Sequence, residues 1–378
     1  MAVFTVSPPE TLRSFHPSGV ISSGFLRHRI RAKIFSCTCS HCREKIESSG
    51  KSSRHGSLLD ERFITTTAMT FIPTSQITRP THKPDEIKAG RLPGWFRVNI
   101  QRGERYKAIR RIIDTHGLHT ICEEARCPNQ WECWNHGTAT FLILGDICTR
   151  RCGYCSVTTG RPLPIDSDEP NRIGETVRML GLRHAVITSV NRDELPDGGA
   201  SIFAETIASI RRFIPSCTVE VLIPDFQGSW EALNTVMQAS PDILNHNIET
   251  VGRLFPAIRP QGKYQRSLEL LDRARVIKGR TKSGLMVGFG ETWEEIRTVM
   301  QDLRKVGCQI LTIGQYLRPT KTHSPVTRYY QPEEFDELKD EAETLGFAHV
   351  ESGPLVRSSY HAEKQASLSN RSLKNKPA

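Results

Sequence analysis

Six of the eleven cysteines in this chain lie between Cys122 and Cys155, in two triplets separated by one short apolar run. Cys122, Cys127 and Cys133 are spaced C-x4-C-x5-C, and Cys148, Cys152 and Cys155 are spaced C-x3-C-x2-C. Residues 141–144 (FLIL) read as a buried strand that Gly145 ends, delivering the second triplet to a loop at the strand's C-terminal end. Any fold for this chain must therefore hold two groups of thiols at places joined by a single strand.

Three thiolates per group favour an iron–sulfur cube. Structural zinc closes its tetrahedron with four ligands, whereas a cube can keep one iron free of cysteine, and an open iron is a reaction site. The short spacings of the second triplet let one loop wrap three corners. Gly153 permits the close turn beside the last ligand, and Tyr154 is placed to shield the cluster or stack on a ligand. Zinc is the alternative, with His116, His119 or His136 as a fourth ligand. Disulfides are disfavoured because no secretory signal is evident. Cys217 and Cys308 open apolar runs and read as small buried hydrophobes. Cys37, Cys39 and Cys42, beside His41, lack any hydrophobic period around them and read as incidental thiols.

After the second triplet a strand–helix rhythm sets in. Apolar runs at 184–190, 218–223, 242–248, 283–289 and 309–317 read as strands, and amphipathic patterns at 173–182, 202–213, 230–238, 264–278 and 293–306 read as helices. With the strand at 141–144 this makes six units, which build a parallel sheet with right-handed crossovers. The expected fold is α/β, a partial (β/α)6 barrel of the TIM type with an N-terminal cluster-binding extension and a C-terminal extension. In such a barrel reactive groups gather on loops at the C-terminal ends of the strands, where the second triplet falls. Upstream, 103–117 reads as a helix with Ile109, Ile112 and Ile113 on one face and Gly117 as its stop. Downstream, PEEFDELKDEAETLG reads as a helix with a strongly charged face.

The formal charge of +10 raises the question of a nucleic-acid partner. Residues 1–91 carry 14 Lys and Arg against 7 Asp and Glu, and residues 364–378 carry 4 against none; the remainder carries 33 against 34. The excess thus lies in the tails, and the body lacks the basic surplus of a nucleic-acid-binding domain. No apolar run approaches the roughly 20 residues of a membrane span.

The loop CTRRCGYC resembles the cluster-binding loop of the radical S-adenosylmethionine (SAM) superfamily. Together with CEEARCPNQWEC, GTATFLILGD and RSSYHA (357–362), it resembles the lipoyl synthase family over residues 92–363. That resemblance implies two 4Fe-4S clusters. One sits on Cys148, Cys152 and Cys155, with its open iron chelated by SAM. The auxiliary one sits on Cys122, Cys127 and Cys133 and is closed by Ser359, whose alkoxide is a harder, weaker partner for iron than thiolate. Cys148, Cys152, Cys155 and Ser359 are therefore the expected catalytic ligands.

The resemblance further implies SAM contacts from Gly198 and Gly199 and from Asn247 and Glu249, with Gly288, Gly290 and Gln315 lining the mouth. Read alone, DGG is merely a turn, and Asn247 and Glu249 are a satisfied buried pair. GRLPGWFRV, with Trp95 and Phe96, resembles an arm across the barrel or a simple hydrophobic anchor. The implied activity makes an adenosyl radical from SAM, abstracts hydrogen from C6 and, with a second SAM, C8 of a protein-bound octanoyl-lysine, and consumes the auxiliary cluster as sulfur donor. The implied partners are octanoylated lipoyl domains (glycine cleavage H protein, 2-oxoacid dehydrogenase E2), reduced ferredoxin or flavodoxin, and iron–sulfur assembly proteins. Nucleic acid and membrane are not expected. The alternatives are another two-cluster sulfur-inserting enzyme or methylthiotransferase, and a zinc-binding interaction protein.

The expected organisation is a disordered or transit-like leader (1–68), a flexible approach (69–91), the extension with the auxiliary cysteines (92–140), the barrel (141–330), a C-terminal helix with the RSSYHA segment (331–363) and a disordered basic tail (364–378). The leader is rich in Ser, Thr, Arg and His, with no acid between Thr11 and Arg43, as in an organelle transit peptide; Met69 is a natural bacterial start. The body resembles bacterial members more, so the cytoplasm is expected, with plastid or mitochondrial matrix as the alternative.

Overall fold

A computed structural model describes residues 92–98, 103–136, 138–277 and 279–366 of the chain. The readings made above for 1–91 and 367–378, including Cys37, Cys39 and Cys42, lie outside the described residues.

Sequential apolar runs pair with one another in chain order. Strand β1 (His119–Thr120) runs antiparallel to β2 (Thr140–Ile143), and β3 (Ile147–Cys148) forms a separate parallel pair with β4 (Thr158–Thr159). From β2 onward the main sheet is parallel: β5 (His184–Ser189), β6 (Thr218–Leu222), β7 (Ile243–Asn245), β8 (Thr281–Val287), β9 (Ile310–Gln315) and β10 (His349–Gly353), in that spatial order. Six of these are the anticipated strands. The seventh parallel strand, β10, was not anticipated: its sequence HVESG lacks an apolar run, and only Val350 in it is buried.

Helices α1 (Glu104–Thr115), α2 (Ile121–Glu124) and α3 (Gln130–Asn135) precede the barrel. The crossovers carry α4 (Glu169–Met179), α5 (Ala200–Phe213), α6 (Trp230–Gln238), α7 (Phe255–Ile258), α8 (Tyr264–Val276) and α9 (Trp293–Lys305), and α10 (Pro332–Thr344) leads into β10. Helix α9 starts at a capping box in which Thr292 and Glu295 exchange hydrogen bonds, satisfying two otherwise orphaned N–H donors.

Alternate strand residues face opposite sides of the sheet. Ala185, Ile187, Val219, Val221, Leu244, Leu285, Leu311 and Ile313 pack with the helices in the main core, whereas Ile243 and Ile310 cluster with Ala366 from the C-terminal turn. On that inner side a charged group is fully buried. Lys282 reaches Glu220 Oε1 at 2.9 Å, Asn245 Nδ2 donates to the same oxygen at 3.1 Å, and His184 Nε2 lies 3.7 Å from Oε2. Burial opposes ionisation of Glu220, but Lys282 and His184 more than offset it and bring its pKa down to about 2.

The turn after β2 sets the entry to the cysteine loop. Leu144 has φ +69° and Gly145 φ +87°, the first being costly for a residue with a side chain. Both ends of the strained peptide are held. Leu144 N–H donates to Glu169 Oε2 at 2.8 Å, and its carbonyl accepts from Arg192 Nη1 at 2.9 Å.

Candidate active site

Strand β3 ends at Cys148, whose buried Sγ accepts from the N–H of Asn191 at 3.3 Å and of Arg150 at 3.4 Å. The loop that follows is fastened to three neighbours. Gly153 donates its N–H to the Ile258 carbonyl at 2.8 Å, and its carbonyl accepts from Ser324 N–H at 2.8 Å. A Cβ on Gly153 would strike the Ser324 hydroxyl, so the close approach needs glycine here. His323 Nε2 donates to the Cys155 carbonyl at 2.9 Å. Inside the loop Arg150 forks onto Asp193 with bonds of 2.6 and 2.8 Å and pairs with Asp225 at 2.7 Å. Asp193 follows β5 and Asp225 follows β6, so the buried guanidinium fixes the cysteine loop to both strand ends.

The thiols meet in a dry place. Burial pushes Cys152 up to about 11 and Cys155 up to about 12, and each is opposed further by negative neighbours, Glu249 and Cys148 for Cys152 and the other two cysteines for Cys155. Arg259 works the other way and favours the Cys152 thiolate. Such a set is unfavourable for thiolates alone and is what a cationic iron core would reverse. The donor set fits an iron–sulfur cluster.

Tyr154 is half-buried against the cluster of Ile258, Phe289 and Tyr316. Burial pushes the Glu249 pKa up, which Arg259, Asn247 and Tyr154 counter. Glu249 adopts φ +70°, and Arg259 Nη1 donates to the Asn247 carbonyl at 2.9 Å. Asn247, Glu249 and Cys152 thus share one buried electrostatic neighbourhood through Arg259 and Tyr154.

Gly198 (φ +60°) and Gly199 (φ +90°) face protein atoms. A Cβ on Gly199 would run into Leu144 and one on Gly198 into Phe226, so packing alone demands both glycines. A Cβ on Gly288 would collide with the Gln315 amide, whose Nε2 donates to the carbonyls of Val287, Tyr316 and Arg328 and whose Oε1 accepts from Tyr330 N–H. The Gln315 side chain is therefore taken up in fixing the loop after β9. Phe96 of the N-terminal arm is buried edge-on against Tyr329 of that loop, with ring centroids 5.4 Å apart.

A second cavity holds the other triplet. Cys122 on α2, Cys127 after it and Cys133 on α3 line it together with Asn129, Gln130, Thr138, Thr140, Arg357, Ser359 and Tyr360. Residues 219 to 228 positions apart are stitched here. Asn129 Nδ2 donates to the Leu355 carbonyl at 2.6 Å, Thr140 Oγ1 to Ser359 Oγ at 2.9 Å, and the Tyr360 hydroxyl to Glu132 Oε1 at 3.0 Å. Burial, together with repulsion from Cys127, pushes Cys122 up to about 12, and Cys133 is raised by burial and then by repulsion from Cys122 and Cys127. Arg357 is the charged residue of the lining. Burial disfavours its charge and Cys127 favours it. A cube bearing three thiolates and an alkoxide carries net negative charge, which a buried guanidinium complements. This donor set also fits a cluster. Among the described residues no three His, Cys, Asp or Glu side chains are grouped as a single metal ion requires.

The family model of the Radical SAM superfamily matches residues 142–303, and that of the N-terminal domain of lipoyl synthase matches residues 33–127. The chain is 58% identical over 292 residues to a lipoyl synthase of Rubrobacter xylanophilus, covering 76% of this chain and 91% of that one. The chain belongs to the lipoyl synthase family. Other members are similarly close: one from Symbiobacterium thermophilum is 57% identical, over 73% of this chain and 87% of its own length, and one from Bacteroides thetaiotaomicron 53%, over 72% and 97%. As a family member it is a radical SAM enzyme, for which one 4Fe-4S cluster and SAM are the implied cofactors.

Several residues of the two sites escaped the sequence reading. Arg150, Asp193 and Asp225 are distant in the chain and meet only in three dimensions; the available signal was an arginine between two cysteines. Arg259 follows the four-residue helix α7 and had none. Thr140 was visible only as the polar start of an apolar strand, and Arg357 only as a neighbour of two serines.

Proposed function

We propose that this chain acts as a lipoyl synthase on an octanoyl chain carried by a lysine of another protein, inserting sulfur at C6 and C8. The observation that carries the reading is the pair of three-thiol sites with different fourth positions. The site at Cys148, Cys152 and Cys155 lies in a loop at the C-terminal end of the barrel with the Glu249 carboxylate as neighbour, whereas Cys122, Cys127 and Cys133 share their cavity with the Ser359 hydroxyl.

When bound, clusters on these residues supply the one-electron chemistry and the sulfur that an unactivated methylene needs. The chain's own part is orientation and exclusion of water. Arg150 with Asp193 and Asp225 sets the loop; Tyr154, with Phe289 and Tyr316, covers it with apolar surface; and Asn247, Glu249, Gly198 and Gly199 stand where SAM is held. Arg357 offsets negative charge at the auxiliary site, and Ser359, a harder ligand than thiolate, is the position at which that site opens.

The acceptors are lipoyl domains such as glycine cleavage H protein and 2-oxoacid dehydrogenase E2. Reduced ferredoxin or flavodoxin supplies electrons, iron–sulfur assembly proteins rebuild the auxiliary cluster, and the compartment is the cytoplasm. Among the described residues no helix is long and apolar enough to cross a membrane. Anaerobic iron and sulfide analysis, followed by incubation with SAM and an octanoylated peptide, tests the reading. About eight irons per chain, two cubes' worth, and a dithiolated peptide are expected; about four irons, or a product with no sulfur, would overturn it.

A further inference from the structure

Thr140 opens β2 and is buried, with its register fixed by pairing opposite Val186. Its hydroxyl donates to Ser359 Oγ at 2.9 Å. The segment that carries Ser359 is anchored separately, by the Asn129 bond to the Leu355 carbonyl on one side and the side-chain bond of Tyr360 to Glu132 on the other. What remains to be set is the serine's own side-chain torsion.

We propose that Thr140 is the positioning residue for Ser359: its hydroxyl holds the serine oxygen toward the three thiols, in the direction an iron ligand needs. The inference rests on the reading of Cys122, Cys127, Cys133 and Ser359 as ligands of one cluster. The threonine is the donor in this bond, so the serine oxygen accepts and is held in one orientation. Threonine suits the task because a β-branched side chain in a strand has few χ1 choices, so its hydroxyl is itself fixed. Groups that orient a metal ligand in this way are typically worth about 10- to 100-fold in metal affinity.

The test uses the full chain with Cys148, Cys152 and Cys155 changed to alanine, so that only the auxiliary site takes up iron. This parent is compared with versions carrying Thr140→Val, Thr140→Ser or Ser359→Ala, each reconstituted anaerobically with iron and sulfide. The readouts are iron per chain, the rate of iron release to a ferrous chelator and the electron paramagnetic resonance signal of the reduced cluster. Thr140→Val, which removes the hydroxyl and keeps the shape, should speed release about tenfold and move the signal toward that of Ser359→Ala. Thr140→Ser, which keeps the hydroxyl, should stay close to the parent. The proposal is overturned if Thr140→Val matches the parent while Ser359→Ala does not, or if Thr140→Ser releases iron as fast as Thr140→Val. If instead Ser359→Ala itself matches the parent with about four irons bound, the ligand reading fails and takes the proposal with it.

Discussion

Arg150 and Asp225 form an ion pair of 2.7 Å in which the arginine side chain is 2% exposed and the aspartate 0%. The pair ties the cysteine loop to the end of β6, and Asp193 ties the same guanidinium to the end of β5. A planar fork serves two carboxylates at once, which a lysine ammonium cannot do in the same geometry. Arg150→Lys should therefore fold and yet hold iron at Cys148, Cys152 and Cys155 about tenfold less tightly, measured by chelator competition. Iron retention equal to the parent's would show that the clamp does not position the loop.

The two triplets should separate in function. Cys127→Ala should leave formation of 5′-deoxyadenosine from SAM largely intact while abolishing sulfur insertion, and Cys152→Ala should stop 5′-deoxyadenosine formation altogether. Chromatography of both products from the same reactions decides the matter. Loss of both products in Cys127→Ala would count against the division of labour.

The buried Glu220–Lys282 pair should matter for stability. Lys282→Met strands an ionised carboxylate with 0% exposure, at a cost of about 3–5 kcal/mol, whereas the paired change Glu220→Leu with Lys282→Met should cost much less. Thermal unfolding of the two variants, followed by circular dichroism, distinguishes them. Similar losses in both would mean that packing, not the stranded charge, sets the cost.

Acid lability should come in two stages. His246 is enclosed between the Ile223 carbonyl and Ser267 Oγ, each at 2.9 Å, and burial, followed by the charge of Arg259, pushes its pKa down to about 4 from 6.5. The unfolded chain binds this proton more readily than the folded one, so the contribution is whole above about pH 6.5 and is lost as pH falls toward 4. The Glu220 contribution is whole above about pH 4.5 and is lost as pH falls toward 2. Melting temperatures measured from pH 7 to pH 4 should decline in the parent and flatten in His246→Asn. An unchanged slope would remove His246 from the account.

What was readable in advance follows from which forces are local. Strands β2, β5, β6, β8 and β9 are buried on both faces and announce themselves as apolar runs. Strand β7 is shorter than its run because regular pairing breaks after the His246 N–H bond to Lys282 and resumes only as a single bridge at Glu249, which adopts φ +70°. Strand β10 was invisible because its half-buried edge carries His349 and Glu351, which pair with each other, Glu351 pairing also with His361. The cysteines were legible because spacing within a loop is a local quantity. The fixing of that loop was not, since Arg150, Asp193 and Asp225 are brought together by two successive crossovers. Gly198, Gly199 and Gln315 show a further limit. Their chemistry marked them as special, but the structure accounts for them through Phe226, Leu144 and the loop after β9 as fully as a ligand would.

The central claim is that the thiols of Cys122, Cys127 and Cys133, with Ser359, hold the sulfur that reaches the substrate. The direct measurement is to reconstitute the full chain with heavy-isotope sulfide, remove free sulfide, and analyse the product formed from an octanoylated peptide and SAM by mass spectrometry. The account predicts that both inserted sulfur atoms carry the label, and that Cys127→Ala yields no labelled product. A dithiolated peptide without the label would contradict it.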